Sequence, residues 1–564
     1  MIQKQIFLAE KLTKTRKAFI AVGLISCVVN LLMLTGPLFM LQVYDRVLAS
    51  RSIPTLVALL LLAIGLYMMM GLFDFLRTRI LSRMAYWLDN ELSPLTYRSW
   101  IVRSMGGQNP AYRPIQDIGI VRGLISSPTI LALFDLPWVP VYLGVIFILH
   151  TYLGLLAVVG ALIVIIFALM NEALSSKSAG AAAQGDMLEA RFADQVQKSA
   201  DSVLAMGMLG NTQSIWHGLR RQALFYQQSG GERSEGFTTS SKAFRLLLQS
   251  AILALGAYLA INQEISAGMI VAASIIAGRA LAPVDQTIGG WRMIKRAWLA
   301  YKRLQEYLYK GTDKTDATID LPEPEGVLDV SSLLKYAPNT RADEEKTAIL
   351  QAIEFSLKPG EGLGVIGPSA SGKSSLAKLL VGLWMPDAGS VRLDGATFEQ
   401  WDVDRLGRHI GYLPQQVTLL PGTIAQNIAR FDAQAEDNEI VEAAKLAGVH
   451  EMILSFPDGY GTNVDTAISP LTGGQTQRIA LARAIFRKPK LIVLDEPNAN
   501  LDQEGDAALG GAIRAMREAG SVVIVMAHRP SAIAAVDKVL MLQAGRMMAF
   551  GGKADVLRKV TRAA

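Results

Sequence analysis

The chain has 564 residues, 51% of them apolar and 18% charged, with a formal net charge of +6 at pH 7. A mean hydropathy of +0.30 with so few charges excludes intrinsic disorder and points to membrane segments. A single cysteine, Cys27, excludes a disulfide-built secreted fold.

In chain order, the apolar residues concentrate in the first half. Six stretches are predicted to span a membrane: 18–40, 55–75, 130–149, 153–170, 246–261 and 267–281. A span needs ~20 apolar residues to cross a hydrocarbon core of ~30 Å. The runs 57–70 and 153–170 lack the polar face of a helix buried in a soluble core. The first apolar run is too long for the core of a signal peptide, and no small-residue cleavage site follows it. The last two spans are short and rich in Ala and Gly, which suits close helix–helix packing.

Lys and Arg cluster in four places: Lys4 to Lys17, Arg77 to Arg122, Lys177 to Lys242, and Arg292 to Arg303. The remaining loops are poor in them. This asymmetry predicts a cytoplasmic N-terminus, two long cytoplasmic connections and a cytoplasmic C-terminal half. The positive charge thus marks topology and does not indicate a nucleic-acid partner. Both long connections read as helices running beyond the bilayer. They are expected to turn back at 106–114 and 207–218, each turn holding a short helix against a cytoplasmic partner. Pro137 and Pro140 predict a kink in the third span. Asp135 beside them either lines a pathway or pairs structurally near the interface.

Composition shifts after Leu308. Residues 311–326 read as a linker, and 327–564 as one α/β domain. Residues 362–366, 491–494 and 521–526 predict buried parallel strands; Asp437–Leu446 and 475–486 predict helices. The alternation implies a mostly parallel sheet covered on both faces.

Gly367, Pro368, Ser369, Ala370, Ser371, Gly372, Lys373 and Ser374 match the phosphate-loop pattern G-x-x-x-x-G-K-[ST] between a predicted strand and a helix predicted over 375–383. The glycines let backbone N–H groups approach phosphate oxygens, and the helix N-terminus favours an anion. Lys373 would neutralise phosphate charge, and Ser374 would hold Mg²⁺. Downstream, an apolar run ends in Asp495 and Glu496. Asp495 suits the Mg²⁺ side; Glu496 suits the base that orients and polarises attacking water.

The run from Leu471 through Thr472, Gly473, Gly474 and Gln475 to Ile485 resembles the signature motif of ATP-binding-cassette ATPases. Gln415 is similar to the family's Q-loop glutamine, residues 499–502 to its D-loop, and His528 to its switch histidine. The resemblance implies that Gln415 and His528 join Glu496 in catalysis, and that Gln415 also faces the metal. It implies that Tyr336 stacks on adenine, across an insertion at 339–346. It adds Ser375 to the phosphate loop and Thr472–Gln475 to the ATP contacts. The cofactors implied are ATP and Mg²⁺. The sequence departs from the family at Ala370, usually Gly; at Ser375, commonly Thr; at Thr472, usually Ser; at Thr476 and Gln416; and at 462–468, which lacks a Gly/Glu-rich segment.

The whole chain resembles an exporter half-transporter. The fold class implied is a six-helix α-helical membrane domain over 1–310, then an α/β P-loop ATPase domain. Homodimers and a lipid bilayer follow as partners, with each ATP held between the Lys373 loop of one subunit and the Thr472–Gln475 segment of the other. Four segments narrow the likeness to type I protein secretion ATPases: FMLQVYDRVL at 39–48, SSPTILALFDLPW at 126–138, AMGML at 205–209 and DEPNANLD at 495–502. That branch implies inner-membrane export of an unfolded protein with a C-terminal signal, docked to a periplasmic membrane-fusion adaptor and an outer-membrane channel. With residues 1–17 ahead of the first span, no N-terminal peptidase domain is expected. The alternatives are an exporter of lipid, peptide or small molecules, and a membrane ATPase that only regulates partners.

Overall fold

The structure, a computed structural model, describes residues 2–104, 113–310, 321–337, 347–465, 471–499, 501–527 and 533–563. The chain divides into two compact units, with the boundary near residue 312.

The first unit is helical, and among its described residues six helical segments are long and apolar enough to cross a membrane. Each coincides with a predicted span. Helices Ile53–Ser104 and Leu209–Ile261, of 52 and 53 residues, would reach about 80 Å at 1.5 Å per residue. That is far more than a bilayer needs, so both continue beyond it, as does Thr151–Lys198. The third span is interrupted: Pro128–Asp135 gives way to a 3₁₀ turn at Leu136–Trp138 before Val139–Leu149 resumes. Pro137, which lacks an N–H, sits in that turn.

The expected turn at 207–218 is tighter than its glycines suggest. Helix Ala200–Ala205 ends at Met206, only Gly207 takes a positive φ (+66°), and helix begins again at Leu209. Gly210 and Gly218 lie inside that helix. The predicted turn at 106–114 lies outside the described residues except for Arg113 and Pro114, where helix Pro114–Ile125 starts.

Asp135 is paired. It accepts from Arg77 Nη1 at 3.0 Å and from Asn30 Nδ2 at 2.6 Å. The Tyr142 hydroxyl donates to Asn30 Oδ1 at 2.9 Å, and Arg77 also reaches Ser26 at 3.2 Å. One buried polar network thus joins the first three spans. Buried charge is tolerated where it is paired and hydrogen-bonded in this way.

The second unit is built on a ten-stranded sheet. Its strands are β1 (Leu328–Tyr336), β2 (Ala348–Leu357), β3 (Gly362–Ile366), β4 (Ala388–Leu393), β5 (Ala396–Thr397), β6 (Ile410–Leu413), β7 (Leu491–Asp495), β8 (Val522–Met526), β9 (Lys538–Gln543) and β10 (Arg546–Gly552). The order is β5-β4-β1-β2-β10-β9-β3-β8-β7-β6. The three predicted strands are β3, β7 and β8, parallel and side by side. β7 and β8 are buried throughout, which is why they read as unbroken apolar runs.

The parallel part of the sheet extends beyond these three, since β6 pairs parallel with β7, β9 with β3 and β10 with β2, while the rest of the sheet is antiparallel. β1, β2, β4 and β5 pair antiparallel, as do β9 and β10. Two tight turns account for part of that. Asp394–Gly395 and Ala544–Gly545 both carry positive φ at successive residues, the backbone that reverses a strand in two residues.

Candidate active site

The loop after β3 is shaped by backbone crowding. Gly367 has φ +158°, and a Cβ there would stand 2.2 Å from the Leu542 carbonyl oxygen, so no other residue fits. Gly372 has φ +101° and caps helix Lys373–Leu380. Ala370 also lies in the left-handed region, at φ +62°, a conformation that costs a non-glycine residue about 1–2 kcal/mol. Pro368, Ser369 and Ala370 are exposed at the loop tip, while Ser371 and Lys373 are buried.

Lys373 Nζ donates to the carbonyls of Gly367 at 2.8 Å and Pro368 at 2.9 Å. Burial pushes its pKa down, and the nearby Glu496 and Asp495 carboxylates oppose that shift. Its charge is therefore poorly solvated and directed at its own loop, as an anion-binding ammonium requires. The buried Ser371 hydroxyl has no hydrogen-bond partner among the described residues.

The two carboxylates sit at the end of β7. Asp495 is buried, which raises its pKa; a hydrogen bond from Ser374 pulls the other way. Its Oδ1 has no hydrogen-bond partner among the described residues. A buried carboxylate oxygen left unpaired beside a serine hydroxyl suits a hard divalent cation. Mg²⁺ keeps several waters and takes few protein ligands, so the group fits the residues present. Glu496 adopts φ +51°, and its N–H donates to the Met526 carbonyl at 3.0 Å. Its Oε2 accepts from Gln415 Nε2 at 3.1 Å. The structure thus gathers Lys373, Ser374, Gln415, Asp495 and Glu496 from three separate parts of the chain.

Other predicted residues stand apart. Thr472 caps helix Gly473–Ile485, with its hydroxyl accepting from the Gln475 N–H at 3.3 Å and Gln475 Oε1 accepting from the Thr472 N–H at 2.9 Å. Among the described residues, no hydrogen bond or ion pair joins Thr472–Gln475 to the loop Gly367–Ser374. Tyr336 ends β1, where its N–H donates to Asp387 at 2.8 Å. His528 and the insertion 339–346 lie outside the described residues, as do residues 466–468 of the atypical segment. Tyr412, on β6 beside Asp495, went unread in the sequence. Burial and that carboxylate push its phenol up to about 12.

A phosphate loop, a strand-end carboxylate pair and a capped signature helix on this sheet define an ATP-binding-cassette ATPase, joined here to a membrane unit of exporter type. The ABC transporter family model matches residues 350–499. The type I secretion system ATP-binding protein PrsD of Rhizobium meliloti (strain 1021) is 45% identical, covering 98% of this chain and 94% of that protein. The alpha-hemolysin translocation ATP-binding protein HlyB of Proteus vulgaris is 28% identical, covering 96% of this chain and 77% of that one. A bacterial Atm1-family ABC exporter with ATP bound shares the fold, with a TM-score of 0.81 at 20% identity over 97% of this chain and 96% of that one. The chain belongs to the ABC transporter ATPases of type I secretion: it is a multi-pass membrane protein with an ATP-hydrolysing cassette.

Proposed function

We propose that the chain is the inner-membrane motor of a type I secretion system, exporting an unfolded protein that carries a C-terminal signal. Likeness to a type I secretion ATP-binding protein along nearly the full length of both chains carries this reading. The motor is a homodimer with its N-terminus and cassette in the cytoplasm, the side marked by the Lys and Arg residues. It hands cargo to a periplasmic adaptor and an outer-membrane channel.

The residues divide the chemistry as follows. The loop from Gly367 to Ser375 wraps the triphosphate, and Lys373 leaves its own carbonyls to meet phosphate oxygens. Ser374, Asp495 and Gln415 would hold Mg²⁺, which would supply charge neutralisation at the phosphates. Glu496 orients and polarises the attacking water, with Gln415 placing its carboxylate and His528 joining it in catalysis as the switch histidine. Thr472–Gln475 of the second subunit offer a helix N-terminus to the same nucleotide. Tyr336 stacks on the base. Residues 1–310 form the path and 327–564 the engine, joined through 311–326.

The test is secretion. The gene should be deleted in its host and the culture medium compared with and without complementation. A protein that leaves the cells only when the wild-type chain is present supports the reading. Unchanged secreted protein, with loss of a specific lipid or small molecule from the outside, would replace it with a lipid or small-molecule exporter.

A further inference from the structure

Gln477 lies one turn into helix Gly473–Ile485, is buried, and points back at the catalytic strand end. Its Nε2 donates to the Pro497 carbonyl at 2.5 Å and to the Glu496 carbonyl at 3.3 Å. Glu496 is one of twelve described non-glycine residues in the left-handed region, with φ +51°. Such a conformation persists only where the surroundings over-determine it. Here the N–H side is held by the Met526 carbonyl at 3.0 Å and the C=O side by Gln477. With the main chain pinned at both ends, the carboxylate keeps only its side-chain torsions, and it meets Gln415 at 3.1 Å.

The next residue makes a parallel connection. Arg478 Nη2 pairs with Asp502 at 2.6 Å, and the same Asp502 oxygen accepts from the Gly505 N–H at 2.8 Å. Successive residues of one helix therefore grip the segment after β7 near both its ends. That helix begins with Thr472, Gly473 and Gly474, whose exposed N-terminus is the anion-seeking end.

We propose that Gln477 is a positioning residue for hydrolysis, holding Glu496 in its left-handed backbone and linking it to the helix that carries Thr472–Gln475. Engagement of that helix's N-terminus by nucleotide is then felt at Glu496 through the side chain of Gln477. The proposal rests on the reading of Glu496 as the water-polarising group. The plainer role for a buried amide is to satisfy two carbonyls for stability alone, and the two roles differ in their kinetics.

The experiment uses the full-length chain in nanodiscs, with Gln477→Leu, which keeps volume and removes both donors. ATPase turnover, KM, nucleotide affinity by titration and thermal melting are measured together. The expected result is a kcat lowered about tenfold or more, with KM and affinity within about twofold of wild type. Unaltered turnover would overturn the proposal, and so would affinity and melting falling in step with kcat. If the leucine variant fails to fold, Gln477→Glu, equal in length, takes the same measurements. In a Glu496→Gln background, Gln477→Leu should cause no further loss of turnover, since both act through one group; an additive loss also overturns it. Near-normal turnover by Glu496→Gln alone would remove the reading of Glu496 itself. That result is distinct from an impaired Glu496→Gln beside an unaltered Gln477→Leu.

Discussion

In the proposed mechanism Lys373 serves binding and Glu496 serves chemistry. Lys373 is a buried ammonium whose hydrogen bonds, among the described residues, are to two carbonyls of its own loop, so it gains most from an arriving phosphate. Lys373→Ala should weaken ATP binding about tenfold or more, and an unchanged dissociation constant in a fluorescence titration would contradict that role. Glu496→Gln keeps size and hydrogen bonding but loses the charge that draws a proton from water. It should retain ATP yet slow turnover at least about 100-fold, as measured by phosphate release. These positions were legible in the sequence because each belongs to a run of neighbours: a loop of fixed spacing, or two carboxylates closing an apolar strand. Tyr412 and Gln477 were not. They reach the site by folding, Gln477 across 20 residues to Pro497, and nothing near them in the chain announces the contact.

Helices of the membrane unit approach one another where side chains are missing. At Gly160, within Thr151–Lys198, a Cβ would stand 2.2 Å from Leu248 Cδ2 on Leu209–Ile261. At Gly65, within Ile53–Ser104, it would meet nothing within 4 Å. Both glycines sit in apolar helix, so hydropathy does not separate them. Gly160→Leu should force the two helices apart and lower the melting temperature of the solubilised protein, by an amount corresponding to about 1–3 kcal/mol. Gly65→Leu should leave melting nearly unchanged, and equal effects at the two sites would refute this packing. The same contrast explains which elements the sequence could reveal. Spans and core strands show as long apolar runs, since burial on all sides needs no alternation. The antiparallel strands β1, β2, β4 and β5 are half exposed, so they leave no unbroken apolar run in the sequence. The glycines at 210 and 218 misled in the opposite sense, since helices tolerate glycine where nothing crowds it.

At the scale of the whole molecule, the proposed reading puts both halves of an ATP site on one chain without bringing them together. The Lys373 loop and the Thr472–Gln475 cap share no hydrogen bond or ion pair among the described residues, although each presents a helix N-terminus suited to phosphate. A second copy of the chain supplies the missing half if it is related by a two-fold axis, because a two-fold interface gives each subunit's loop the other's cap. The complex in detergent should then have about twice the 61.1 kDa mass of the chain. Mixed dimers allow a sharper test. Lys373→Ala removes the loop function and Gly474→Asp places a like charge where phosphate must sit, so either homodimer has two damaged sites. In a dimer containing one chain of each kind, both lesions fall in one site and the other is intact. Co-expression should therefore restore ATPase activity that neither variant shows alone, up to roughly a quarter of the wild-type sites if chains assort at random. A site built within one chain would leave every site damaged and the mixture as inactive as its components. Absence of restored turnover together with a monomeric mass would overturn the two-fold arrangement.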